Sequence, residues 1–304
     1  MRMAKNSLAA LALLLTMASG AARADLKIVA CEPEWGALAM ELGGDMVSVS
    51  VATTEKQDPH HIEARPSLIA RARSADMVVC TGAELEVGWL PAIQSLSANP
   101  KIQSGSLGHF EAASFVRMLD VPTRLDRADG EVHAAGNPHI QTDPRNVAKV
   151  AAALATRFIL LDAANGAFYE ERHKAFDARW LAALDRWREI AEPLRGTPIA
   201  VQHANWAYLV DWLELKQIVS LEPKPGVPPS AGYLSDVVAK VRTMRVDVVI
   251  RAPHEDSRPS DFLSAQAKVP AVILPFTVGG TDNAKDLFSL YDDTIARLQA
   301  AVKK

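Results

Sequence analysis

The chain predicts an α/β fold of two lobes, each a parallel-type sheet flanked by helices, joined by one long rigid helix. Three observations predict it. Short apolar runs alternate with amphipathic helical stretches on both sides of the chain's middle, the pattern of parallel strands with helices on their faces. One helical pattern between the two stretches is far longer than the rest. Three histidines, His60, His139 and His203, fall at strand-to-helix junctions, where open α/β sheets gather binding residues.

The first lobe is expected to occupy 25–165. Residues 26–31 read as a strand, 35–42 as a helix ending at Gly43-Gly44, and 47–53 as a strand. Ser67 is placed to cap a short helix through Ala72, and 76–80 return to strand character. Residues 104–137 are irregular, punctuated by Gly, Asp and Ser. Asp143-Pro144 then opens a helix, with Asp at the N-cap and Pro at N1, and Val147, Val150, Leu154 and Phe158 form its apolar stripe.

The linking helix is expected within 166–195. Phe168, Phe176, Trp180, Leu184 and Trp187 recur there at helical spacing with charges between them. Some 28 residues would make it roughly 40 Å long. The second lobe, 196–304, repeats the alternation: strands at 198–202, 218–221, 246–250 and 272–276, and helices at 206–213, 233–244, 262–267 and 284–301. A proline-rich loop fills 222–229. No internal repeat of short period or low-complexity tract is evident.

Residues 1–24 read as a signal peptide. Arg2 and Lys5 precede an apolar segment over 8–17, and Ala22-Arg23-Ala24 is a small-residue cleavage site. The mature chain would begin at Asp25, and no cysteine follows to take a lipid anchor. Cleavage removes three bases, taking the formal charge from −3 to −6, with 30 bases against 36 acids. A mildly acidic chain without a basic run offers nucleic acid no footing. No later apolar run reaches the roughly 18–20 residues of a membrane-spanning helix. The expectation is a monomer in the periplasm.

Cys31 and Cys80 each end an apolar strand-like run. Were those strands neighbours in a parallel sheet, both sulfurs would lie at one edge, and export permits a disulfide. Two buried free thiols are the alternative. A zinc site built on both thiolates is disfavoured, since no Cys-x-x-Cys spacing is present.

Neutral imidazole is the commonest protein ligand for zinc. His60, His139 and His203 are separated by 79 and 64 residues, which matches no zinc finger, so only the fold can unite them. Their contexts are Asp58-Pro59-His60-His61-Ile62-Glu63-Ala64-Arg65-Pro66-Ser67, then Asn137-Pro138-His139 with Asp143-Pro144 shortly after, then His203-Ala204-Asn205-Trp206-Ala207-Tyr208.

In these motifs, taken in order, the chain resembles the zinc- and manganese-binding solute proteins of ABC importers, the ZnuA/TroA-like cluster A-I family. The segment Gly82-Ala83-Glu84-Leu85-Glu86-Val87-Gly88-Trp89-Leu90 also resembles the family's stretch after its third strand. The resemblance spans nearly the whole mature chain. It implies a binding protein, not an enzyme, that captures Zn2+ in the cleft between lobes and delivers it to an ABC permease at the inner membrane. His60, His139 and His203 would be ligands.

One departure concerns the fourth ligand. The family commonly has an aspartate directly after the last strand, where this chain has Thr277-Val278-Gly279-Gly280-Thr281-Asp282. Asp282 is a few residues late, and Glu255 or a water are the alternatives. Three imidazoles favour zinc over Mn2+, which prefers oxygen, and manganese members usually carry a carboxylate where His203 stands. A manganese-binding protein of the same family is one alternative function, and a periplasmic zinc-dependent hydrolase is another. Against the hydrolase, the chain has no His-Glu-x-x-His and no Gly-x-Ser-x-Gly motif. Asp58 and Glu63 are candidate partners for ligand imidazoles. His61 is expected to point away, and His109, His173 and His254 to lie at the surface or in loops. His133, in a short loop, is a weak candidate for metal capture.

Overall fold

The computed structural model describes residues 25–302, so the signal-peptide segment lies outside the described residues. The first half contains β1 (Leu26–Ala30), α1 (Pro33–Gly43), β2 (Val47–Val51), α2 (Pro66–Ser74), β3 (Met77–Cys80), α3 (Leu90–Ser97), β4 (His109–Glu111) and α4 (Pro144–Leu161). The long helix α5 is Gly166–Ala191. The second half contains β5 (Pro198–Val201), α6 (Ala207–Leu213), β6 (Lys216–Ser220), α7 (Ala231–Thr243), β7 (Val248–Arg251), α8 (Arg258–Ala267), β8 (Ala271–Ile273) and α9 (Leu287–Val302).

Each half builds one four-stranded sheet, ordered β2-β1-β3-β4 and β6-β5-β7-β8. Every pairing in both is parallel. The central strands carry buried side chains along nearly their whole length, as in Met77–Cys80 and Val248–Ile250. Such unbroken apolar runs are expected where helices cover both faces.

Most elements fall where sequence periodicity puts them. Asp143 caps α4, its carboxylate accepting from the Arg145 amide, with Pro144 next in line. Ser67, by contrast, is not the cap of α2. Arg65 holds that position, Pro66 occupies the first helical turn, and no side chain caps the end. Helix α3 and strand β4 carry little periodic signal, because eight and three residues are too few to establish a period. His109 and His173, expected in loops or at the surface, sit in β4 and α5.

The long helix is more than a connector. Its Trp180 and Trp187 are fully buried in one continuous core that includes Trp35 and Leu38 of α1, Leu154 and Phe158 of α4, Ile199 and Ile250 of the second sheet, and Leu290 and Ile295 of α9. The Trp180 indole donates to Pro144 O at 2.9 Å, and the Trp187 indole to Asp292 Oδ1 at 2.6 Å. Arg179 pairs with Glu41 on α1 and Arg186 with Asp292 on α9, at 2.5 and 2.7 Å. The helix therefore grips both halves. Smaller cores lie on the far side of each sheet, around Ile62, Leu68 and Ile93 in the first and Val238, Val249 and Leu263 in the second.

β1 and β3 are neighbours, with Ala30 opposite Val79, so the next residues in each strand bring Cys31 and Cys80 together. They form a disulfide with Cα atoms 4.8 Å apart. Among the described residues, no helix is long and apolar enough to cross a membrane.

Candidate metal centre

The carboxyl ends of both sheets face a common cleft, and the histidines reach it from loops that follow strands. His60 comes from the loop after β2. Asp58 Oδ1 accepts from the His60 amide at 3.0 Å and from the imidazole Nδ1 at 2.8 Å. The Trp89 indole donates to Pro59 O at 2.8 Å and pins the loop. His139 sits in a similar turn, with Asn137 Oδ1 accepting from its amide at 3.1 Å. An Asx side chain bonded two residues on, followed by proline, is a stiff turn, so the two Asx-Pro-His motifs are one device used twice. The Asn137 amide donates onward to Ala204 O at 2.8 Å, and the Tyr208 hydroxyl donates to Asn137 O at 2.9 Å. The second and third motifs are thereby bolted together.

His203 follows β5. Its Nδ1 donates to Glu222 Oε2 at 2.6 Å. Strand register explains the partner: Val201 pairs with Ser220, so two residues further on His203 stands beside Glu222.

The three rings converge. Their centroids are 5.3 Å apart for His60 and His139, 6.1 Å for His139 and His203, and 6.3 Å for His60 and His203. At a tetrahedral zinc with bonds of about 2.05 Å, imidazole centroids lie roughly 5 Å apart. A contraction of about 1 Å on the His203 side would bring all three to that spacing. With Nδ1 of His60 and His203 donated to carboxylates, the Nε2 lone pairs are left for a cation. His139 Nδ1 is buried with no hydrogen-bond partner among the described residues.

The electrostatics favour neutral imidazole. Burial, with His60 and His203 nearby, holds His139 well below its usual range. Burial and His60 lower His133 to about 4, and burial chiefly lowers His254 to about 4. His203 is the exception: burial opposes its charge, but the Glu222 carboxylate outweighs this and raises it. Burial also pushes Asp58 upward, yet its bonds to His60 more than reverse that and hold it well below the ordinary carboxylate range.

A cavity of about 710 Å3 contains the site, with His60, His139, His203, His254, Glu255 and Phe276 in its wall. Glu255 lines the same cavity, and burial lifts its carboxyl to about 7. Its oxygens accept from Asn205 Nδ2 at 2.8 Å and the Ala252 amide at 3.0 Å. Asp282 is exposed and does not line the cavity. Its neighbours Thr281 and Asn283 both donate to Asp293 on α9, which fixes the loop against that helix. Glu63 is exposed too, leaving Asp58 as the partner of His60.

Sequence reasoning underrated two histidines. His254 is half-buried in the cavity wall. His133 stacks on His60 with centroids 5.3 Å apart, and its Nε2 lies 3.3 Å from His60 Nε2. His61 is exposed at the rim of the same cavity, its Nε2 3.2 Å from Glu131 Oε1. Among the described residues, the potential ligands whose donor atoms all lie within 4.8 Å of one another are Cys31, Cys80 and Glu86, not the histidines, but the disulfide consumes both sulfurs.

Known proteins share this architecture. A manganese ABC transporter substrate-binding lipoprotein, PsaA, of Streptococcus anginosus is 23% identical over 276 residues, covering 88% of this chain and 84% of its own. A high-affinity zinc uptake system protein, ZnuA, of Paracoccus denitrificans is 26% identical over 269 residues, covering 76% of this chain and 78% of its own. A crystal structure of ZnuA matches with a TM-score of 0.74 at 22% identity, over 90% of this chain and 100% of that one. A ZnuA deletion mutant with zinc bound matches with a TM-score of 0.72 at 25% identity, over 92% and 96%. Residues 28–301 match the family described as zinc-uptake complex component A periplasmic. The chain therefore belongs to that family, as a metal-binding solute protein of an ABC transport system and not an enzyme.

Proposed function

We propose that this protein captures Zn2+ in the cleft between its sheets, through His60, His139 and His203, and delivers it to an ABC permease at the inner membrane. Residues 25–165 and 196–304 act as the two lobes and 166–195 as the rigid link. Export to the periplasm follows cleavage of residues 1–24, and the mature protein works as a monomer. The observation that carries the reading is the convergence of three imidazoles, two of them held through Nδ1 by Asp58 and Glu222.

Zinc is preferred because three nitrogen donors suit it better than harder Mn2+. Manganese is the second reading. The streptococcal relative is named for manganese, and Glu255 supplies an oxygen donor in the same cavity. The test is competition: equilibrate the metal-free protein with equal Zn2+ and Mn2+, desalt, and count both metals. Zinc near one equivalent, with manganese absent, is expected; retained manganese would overturn the zinc reading. His139→Ala should weaken zinc at least about 100-fold, the upper end of what loss of a mere outer partner costs, with the circular dichroism unchanged.

A further inference from the structure

The carboxyl ends of β1 and β3 hold a second set of metal donors, away from the cleft. Cys31 Sγ, Cys80 Sγ and a Glu86 carboxylate oxygen all lie within 4.8 Å of one another. Around one tetrahedral zinc, with Zn–S of about 2.3 Å and Zn–O of about 2.1 Å, donor atoms sit roughly 3.4–3.8 Å apart. Sulfurs released from their bond need only part to that spacing.

A fourth donor stands beside them. Glu32 follows Cys31 in the chain and is 4% exposed. Its Oε2 accepts from the Thr81 hydroxyl at 3.2 Å, while Oε1 is buried without a hydrogen-bond partner among the described residues. Burial, then the Glu86 and Glu34 carboxyls next to it, push the Glu32 carboxyl well above its ordinary range. The groups that donate to these three acids are the Thr81 and Gly82 amides and the Thr81 and Thr277 hydroxyls. All are uncharged. Buried carboxylates are ordinarily paired with a base or bound to a metal, and here protons alone neutralise them.

We propose that, while Cys31 and Cys80 are thiols, this crevice is a second site for a thiophilic divalent cation, held by both sulfurs, Glu86 and Glu32, and that the disulfide closes it. Binding releases one proton from each thiol and any proton on the two carboxyls. Closure is thiol–disulfide exchange: two thiols and an oxidised disulfide partner give the Cys31–Cys80 bond and two thiols on the partner. Cation and disulfide compete for the same sulfurs, so each excludes the other. Both cysteines are fully buried and neither lines the cleft cavity. Metal caught there would be withheld from delivery, and oxidation keeps the cargo for the cleft. The proposal does not rest on the cleft reading above.

The test uses the mature chain in oxidised form and in a form refolded from urea with a water-soluble phosphine, then desalted without oxygen. The phosphine takes oxygen from water as each disulfide becomes two thiols. Wild type and His139→Ala are titrated with Zn2+ and with Co2+ in both forms. Each reduced protein should take up one more equivalent of Zn2+ than its oxidised form, and Co2+ should show a thiolate-to-cobalt charge-transfer band only after reduction. Reduced Cys80→Ser should lose the extra equivalent, and Glu86→Gln should weaken it at least about tenfold. Zn2+ should also slow re-formation of the disulfide by oxidised glutathione at least about tenfold in reduced His139→Ala. A reduced protein folded by circular dichroism, with no extra zinc and no band, would overturn the site. So would a reduced chain that stays unfolded in excess Zn2+. Unweakened binding in Glu86→Gln would remove that residue from the ligand set and overturn the site as assigned. The cleft reading is judged separately, by oxidised wild type against oxidised His139→Ala, so either can fail alone.

Discussion

The two sheets have the same strand order and use the same place in it differently. In each, the chain crosses to either side of the lobe's first strand, which opens a crevice at the carboxyl ends of β1 and β3 and again at those of β5 and β7. In the first sheet that crevice is sealed. Cys31 and Cys80 bridge it, and Glu32, Glu34 and Glu86 are buried beside it, with Glu86 accepting from the Thr81 and Gly82 amides at 2.7 and 3.0 Å. In the second sheet it is open, and Gln202, His203, His254 and Glu255 line the cavity. The first lobe gives His60 from beyond its edge strand β2 instead. If the open crevice holds the metal as proposed, one crevice serves stability and the other the cargo, so damage to each should appear in a different measurement.

The largest effect should come from unsealing the first crevice. Cys31→Ser with Cys80→Ser removes a cross-link between positions 49 apart in sequence, which loop-closure entropy values at about 4 kcal/mol. Urea melts of the metal-free protein should show the loss, with zinc affinity little changed. A variant of normal stability that bound zinc poorly would reverse the division of labour.

pH should separate the crevices next. Burial pushes Glu34 and Glu86 up to about 7 from an ordinary 4.5, as it does Glu255 in the open crevice. Because the folded value lies above the unfolded one, their contribution is fully present below about pH 4.5 and is lost as pH rises through about 7. The metal-free protein should therefore lose on the order of 1–3 kcal/mol between pH 5 and 8, and Glu34→Gln should flatten that slope in thermal melts. Zinc affinity runs the other way. Protonation of His203, raised by Glu222, should weaken binding as pH falls.

Glu222→Gln probes the open crevice alone. Loss of the carboxylate on His203 Nδ1 should cost about tenfold in zinc affinity, or ~1.4 kcal/mol, with the melting temperature little altered. The smallest effect concerns shape. Since α5 and one core join both halves, solution scattering should show almost no change in radius of gyration on zinc binding. A large contraction would mean that the lobes hinge and that the helix does not brace them.

The legible parts of the sequence were those with a local signature. Strand and helix periods placed most elements, Asp143-Pro144 marked the start of α4, and the Asx-Pro-His turns singled out two of the histidines that meet in the cleft. Length defeated the reading at β4 and α3. Asp282 looked suitable because it followed the last strand, but the side chains on either side of it bind α9, and that contact is invisible from spacing. Glu222 opened a proline-rich loop with no hint of a role until the β5–β6 register set it beside His203.

By itself the sequence determined the α/β class, the cysteines' shared sheet edge as a possibility, and the three histidines. Each follows from hydrophobic periodicity or from turn chemistry within a few residues, where covalent connectivity does the positioning. Only the tertiary structure decided that the sulfurs meet, that Glu222 orients His203, and that a short loop crosses the cleft to lay His133 against His60. Those outcomes depend on strand order, register and the packing of distant segments, which the free energy of the whole chain sets and no local pattern encodes.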